Sequence, residues 1–199
     1  MTSHSDPTWQ QYFPQTLTLT DVGAIELRAA TAADADAIVA FAKGLSEMDL
    51  LFLRVDITQP QVVGNWLSNV EDGATASILA WQGDAVVGYG TVDRNAARWT
   101  RRVGEIRVNV AASVRGCGLG RQLTAKIFDV ARAIGLRKLV AHMTPDQAGA
   151  QAAFSRLGFH TEAILADHVE DQAGGIHDLL IMSYDIDGLG AHVDTPLRL

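Results

Sequence analysis

The sequence predicts a mixed α+β fold, and three observations carry that prediction. Strand-like runs come in succession: residues 77–81 (SILAW), 85–92 (AVVGYGTV) and 103–110 (VGEIRVNV) follow one another as a meander of adjacent strands. Amphipathic helical stripes stand before and after them, the longest carrying Leu119, Leu123, Ile127, Val130 and Ile134. A glycine-rich turn, RGCGLG from Arg115 to Gly120, joins the last of those strands to that helix.

In chain order, residues 1–14 read as a loose arm. Residues 16–20 (TLTLT) and 24–28 (AIELR) flank Asp21-Val22-Gly23, which predicts a hairpin. Thr31 opens a helix, with Asp34 placed to answer it in a capping box and Ile38, Phe41, Ala42 and Leu45 as its inward stripe. Residues 45–54 (LSEMDLLFLR) are apolar without a clean period. They fit a mobile connection suited to acceptor recognition or, equally, a packed connector. A second helix is capped by Thr58, has Pro60 near its start and carries Val62, Val63, Trp66, Leu67 and Val70. The charged stretch 94–102 interrupts the meander, and Gly135 closes the long helix. Residues 137–143 (RKLVAHM) read as a strand. Thr144, Pro145 and Gln147 fit the N-cap, first and third positions of a helix that shows Ala150, Phe154 and Leu157 and stops at Gly158-Phe159. Residues 161–167 and 177–185 predict a closing hairpin around 170–175. The chain thus divides into an N-terminal arm and possible hairpin strand (1–23), a single domain (24–186) and a C-terminal tail (187–199).

A length of 199 residues supports one sizeable core, and 48% apolar with 20% charged residues is ordinary for a soluble domain. The net charge of −7 argues against a nucleic-acid partner held through its phosphates, while it suits a cationic acceptor such as an amine. Cys117 is the only cysteine, which rules out a disulfide framework and fits a reducing cytoplasm. The polar N-terminus lacks the apolar core of a signal peptide, and no apolar run approaches membrane-spanning length, so a cytoplasmic protein without a membrane partner is expected. His160, His168 and His177 lie near Asp167 and Asp178 but lack any metal-binding spacing, and no metal is expected.

The chemistry concentrates between residues 103 and 135. Along the strand, Ile106, Val108 and Val110 fall on one side and Glu105, Arg107 and Asn109 on the other. The first turn of the following helix has backbone N–H groups without partners, at the positive end of its dipole. Gly116, Gly118 and Gly120 have no β-carbon to keep a ligand off those amides, and Arg115 and Arg121 add charge and paired donors. The guest these groups suit is a pyrophosphate; the alternative is a plain glycine-rich turn. No Gly-Lys-Ser/Thr closes the turn, so it is not a P-loop, and the even spacing of its glycines departs from the dinucleotide fingerprint.

Arg115, Gly118 and Gly120 stand in the spacing R-x-x-G-x-G. The late helix carries Gln147, Ala150, Phe154, Gly158 and Phe159 where a second landmark has Asn, Ala, Tyr, Gly and Phe. On these two motifs, and on the element order over residues 26–185, the chain resembles the GNAT superfamily of N-acetyltransferases. Residues 45–54 also resemble, weakly, a segment of the protein-lysine acetyltransferase branch.

The resemblance implies a GNAT-like acyl-CoA N-acyltransferase fold, with a central, mostly antiparallel splayed sheet and helices on both faces. It implies acetyl-CoA as cosubstrate and direct acetyl transfer from the thioester to a primary amine, on a small molecule or a protein lysine. Backbone groups of Val108 and Val110 would pair with the pantetheine amides, and Arg115, Gly116, Gly118, Leu119, Gly120 and Arg121 would hold the pyrophosphate. Gln147 and Phe154 would contact the cofactor, although a glutamine at that position can instead fold back onto its own helix start. Glu105 resembles the glutamate some members use as a base; otherwise it is a strand carboxylate paired with Arg107. Phe154 stands where the family's tyrosine protonates the departing thiolate, which leaves that proton to water, His142 or Tyr184. The same gap admits a second reading, a non-catalytic acyl-CoA-binding regulatory module. A third is another nucleotide-binding protein using the same anion loop. Cys117 fits a small loop filler better than an acyl carrier.

Overall fold

The computed structural model describes residues 9–46, 49–50, 53, 55–94, 97–171 and 174–186. Its strands are β1 (Gln15–Leu19), β2 (Gly23–Ala29), β3 (Thr75–Gln82), β4 (Ala85–Arg94), β5 (Val103–Val110), β6 (Lys138–Met143), β7 (His160–Glu170) and β8 (Ile176–Asp185). Its helices are α1 (Ala35–Lys43), α2 (Pro60–Glu71), α3 (Leu119–Ala133) and α4 (Ala148–Arg156). The strands form a single sheet in the order β1-β2-β3-β4-β5-β6-β8-β7. Every neighbouring pair is antiparallel except β5 and β6.

That parallel pair is short. It joins Val103 to Lys138, Gly104 to Leu139 and Glu105 to Val140, and then the strands part. From Ile106 onward β5 is held by β4 alone, in a regular register running from Arg94↔Gly104 to Gly88↔Val110. The sheet is therefore splayed, as the resemblance implies.

Strand alternation feeds two cores. Ile78, Ala80, Val92 and Ile106 lie on one face, under Leu119, Leu123, Ile127 and Val130 of α3. Leu79, Trp81 and Tyr89 lie on the other, under Ile38, Phe41 and Ala42 of α1 and Val63 and Leu67 of α2. Fully burying one such aliphatic side chain contributes roughly 1.5–3 kcal/mol, so the stripes outweigh any single cap. Gly90 lets α3 come close: a β-carbon there would sit 2.8 Å from Cγ1 of Ile127.

Several local expectations need correction. Residues 9–12 are docked rather than loose, because Trp9 is 6% exposed in the core beneath α3 and stacks edge-on with Phe13 at 5.8 Å. Thr31 and Asp34 form the expected box, with the Thr31 N–H donating to Oδ2 at 2.7 Å, but around a 3-10 turn, so α1 starts at Ala35. Gln59, and not Thr58, precedes α2, because Thr58 folds back and its N–H donates to Asp56 Oδ1 at 3.0 Å. The late helix α4 begins at Ala148, after a turn at Pro145 and Asp146. β7 reaches Glu170, beyond the expected end, since Val169 and Glu170 pair again with β8 after a bulge. The expected tail 187–199 and residues 47, 48, 51, 52 and 54 of the α1–α2 connection lie outside the described residues. Among the described residues no helix is long and apolar enough to cross a membrane.

Candidate active site

β5 runs into a 3-10 turn, Ala112–Val114, anchored by the buried Val114 and by the Ala111 N–H, which donates to Val87 O at 2.8 Å. The chain then adopts positive φ at Gly116 (78°) and Gly118 (89°), and Gly118 caps α3. A β-carbon on either glycine would meet nothing within 4 Å, so the space outside the turn is open. The first backbone bond across α3 is from Gln122 N–H to Gly118 O, at 3.1 Å. The N–H groups of residues 116–121 donate to no backbone acceptor among the described residues. Unfilled donors at the head of a 15-residue helix form an anion seat. Arg121 beside them is exposed and makes no ion pair among the described residues. Cys117 closes the turn on itself, its thiol donating to Val114 O at 2.8 Å.

The edge of β5 follows from the same anchor. Since the Ala111 N–H turns toward β4, two-residue alternation turns Asn109 and Arg107 the same way. Val108 and Val110 therefore direct their main-chain groups to the side from which β6 has departed. One of those groups is in use, for Val110 O accepts a bond from Arg115 Nε at 3.1 Å.

On the α1/α2 face a cleft of about 720 Å³ opens at the same parting, walled by Trp66, Tyr89, Leu53 and Val55. Its floor carries polar side chains in contact across four strands. The Thr75 hydroxyl donates to Asp93 Oδ1 at 2.7 Å, and Arg107 Nη1 reaches Asp93 Oδ2 at 2.9 Å. Arg107 Nη2 donates to Glu105 Oε1 at 2.6 Å, and His142 Nδ1 lies 3.5 Å from that oxygen. Burial opposes the charge on Arg107, but the Glu105 and Asp93 carboxylates outweigh it and hold the guanidinium protonated more firmly than usual. Burial pushes the Tyr89 hydroxyl up to about 12, so it remains a neutral donor. Arg107 thus lies between the Glu105 and Asp93 carboxylates, and Arg94 lines the cleft beside them.

Sequence reading found Glu105 but missed Asp93, Tyr89 and Trp66. Tyr89, Thr91 and Asp93 alternate along β4 as Glu105 and Arg107 do along β5. What the pattern lacked was the register that sets Asp93 opposite Glu105.

Other expected site residues stand apart from these two centres. Arg115 turns away from the glycines, with Nη2 2.7 Å from Asp49 Oδ1. Burial works against the Asp49 carboxylate, yet hydrogen bonds from Ser46 and Arg115 bring its pKa down. Gln147 folds back, its Oε1 accepting from the Thr144 N–H at 3.0 Å. Phe154 packs edge-on against Phe159 at 4.9 Å and Tyr184 stacks on Phe128 at 4.8 Å, both in the core beneath α3. His142, by contrast, lines the cleft. Among the described residues no three His, Cys, Asp or Glu side chains gather as a metal site.

Residues 30–159 match the acetyltransferase (GNAT) family. No curated protein matches the sequence. Solved structures do match. The GNAT domain of PAT from S. lividans superposes with a TM-score of 0.72 at 20% identity, over 90% of this chain and 98% of that one. A ribosomal-protein-alanine N-acetyltransferase from Brucella melitensis gives 0.71 at 25% identity, over 80% and 98%. A putative acetyltransferase from Salmonella typhimurium, solved with its cofactor acetyl-CoA, gives 0.71 at 22% identity, over 84% and 96%.

Proposed function

The chain belongs to the acetyltransferase (GNAT) family, and from that premise we propose that it moves the acetyl group of acetyl-CoA directly onto a primary amine. It is an N-acetyltransferase with acetyl-CoA as its cosubstrate. The observation that carries the finer reading is the convergence on β5. One end of the strand leads into the bare amides of residues 116–121, Val108 and Val110 near that end turn main-chain groups to the side that β6 has left, and Glu105 opens onto the cleft.

In this reading the amides and Arg121 hold the pyrophosphate, and the edge at Val108 and Val110 aligns the pantetheine arm along the strand. An N–H on that edge also faces the thioester oxygen as charge develops on it. Most of the acceleration comes from holding amine and thioester together. The acceptor arrives as an ammonium. Freeing the nucleophile of a lysine with pKa ~10.4 costs roughly 4–5 kcal/mol at pH 7, so the site needs a proton acceptor. Glu105 takes that role, directly or through a water. The amine nitrogen then forms its bond to the carbonyl carbon as the C–S bond breaks. Phe154 has no proton to offer the thiolate, which takes one from water. A cytoplasmic setting belongs to the same proposal and rests on the single cysteine.

Incubating the purified protein with acetyl-CoA and a panel of primary amines, and following free thiol, tests this. Acceptor-dependent thiol release is expected. Tight coenzyme A binding without release across a broad panel would contradict it and leave a binding module.

A further inference from the structure

At the mouth of the cleft the β4–β5 connection carries a feature that acetyl transfer alone does not require. Four arginines, Arg94, Arg98, Arg101 and Arg102, fall within nine residues of a chain whose net charge is −7. Arg98, Arg101 and Arg102 are exposed and make no ion pair with a carboxylate among the described residues. The nearest thing to a partner is a carbonyl: Arg101 Nη1 donates to Arg98 O at 2.6 Å. Between them Trp99 is 90% exposed. The connection adjoins the cleft through Arg94, Thr100 and Val103, which line it together with Glu105 and Asp93.

Carboxylates thus stand on the floor, both paired with Arg107, while the exposed arginines outside it have no carboxylate partner among the described residues. A guest matching both carries an ammonium that enters and carboxylates that stay outside. We infer that the rim formed by Arg98, Trp99, Arg101 and Arg102 docks an acidic polypeptide segment whose lysine or N-terminal amine is the acceptor. This rests on the amine-acceptor reading above. A small zwitterion satisfies only part of the pattern, since Arg98, Arg101 and Arg102 are exposed beside Thr100 and do not themselves line the cleft. A nucleic acid meets the two carboxylates of the floor and an acidic chain behind them. The exposed indole supplies an apolar anchor among the charges.

Two labelled peptides of equal length, each with one acceptor lysine followed by either acidic or neutral residues, are titrated into the full-length protein and followed by anisotropy. The acidic peptide is expected to bind about tenfold more tightly at low ionic strength, with the gap closing in high salt. The combined variant Arg98→Ser, Arg101→Ser, Arg102→Ser should lose that preference, and Trp99→Ala should weaken both peptides. Equal affinity for the two peptides, or a preference that survives the triple variant, overturns the inference. So does an oligonucleotide that binds the rim more tightly than the acidic peptide. Thiol release with a small amine is run alongside on the wild-type protein. Release without peptide preference sinks the docking rim alone, whereas peptide preference without any release sinks the amine-acceptor reading.

Discussion

Gly118 concentrates two demands on one residue. Its φ of 89° is unfavourable for any residue with a β-carbon, and its amide is one of the donors left open at the head of α3. Gly118→Val should therefore cost about 1–2 kcal/mol of stability from backbone strain and, separately, most of the affinity for coenzyme A. Gly120 separates the two effects. A β-carbon there makes only an ordinary 3.7 Å contact with Val110 Cγ2, so Gly120→Ala should leave the melting temperature nearly unchanged while still weakening coenzyme A in calorimetric titration. Unaltered affinity in both variants would remove the loop from the cofactor site. Glu105→Gln addresses the chemistry rather than the binding. Turnover should fall most at acidic pH, where the free amine is scarcest, with coenzyme A affinity kept; turnover unaffected at every pH would exclude Glu105 as the proton acceptor.

The pairing of β4 with β5 decides which groups the site receives. It sets Asp93 beside Glu105 and turns Val108 and Val110 toward the gap. Gly88 sits at the end of that register, where a β-carbon would come within 2.9 Å of Asn109 O, a main-chain atom with little room to yield. Gly88→Ala should cost about 1–3 kcal/mol in denaturant unfolding and weaken coenzyme A as well, because β5 must shift. A variant of native stability and affinity would contradict that placement. The same pairing explains what the sequence made legible. The strand, turn and helix from Val103 to Gly135 are local, and period-two alternation followed by a 3.6-residue stripe identifies them directly. The cleft is assembled from α2, β3, β4, β5 and β6, and no short-range pattern reports that Trp66, Asp93 and His142 meet. The cap at Thr58 escapes the pattern for a related reason, since Asp56 offers that residue a nearer partner, whereas Gln147 folds back onto the Thr144 N–H as expected although α4 starts only at Ala148.

Across the whole molecule the sheet behaves as two halves, β1 to β5 and β6 to β7, joined by three residue pairs before they diverge. The second half has its own clamp. Glu162 binds Lys138 of β6 and accepts a bond from Ser183 of β8 at 2.7 Å. Chiefly through Lys138 and then Ser183, its carboxyl is held down to about 2 from 4.5. A depressed carboxyl stabilises the fold above its unfolded pKa and loses that contribution as pH falls through the folded value. Thermal stability should accordingly decline between pH 4.5 and about 2 in the wild type, and Glu162→Gln should flatten that decline. Identical pH profiles would show that the clamp is idle. The parting itself matters only if acetyl-CoA enters it and its diphosphate reaches the turn beyond β5. Titrating acetyl-CoA into ¹⁵N-labelled protein and following the amides of residues 116–121 by chemical shift and hydrogen exchange tests this most directly. Saturable shifts with slowed exchange at those amides are the expected result; saturable binding that leaves them unmoved and exchanging freely would contradict the account.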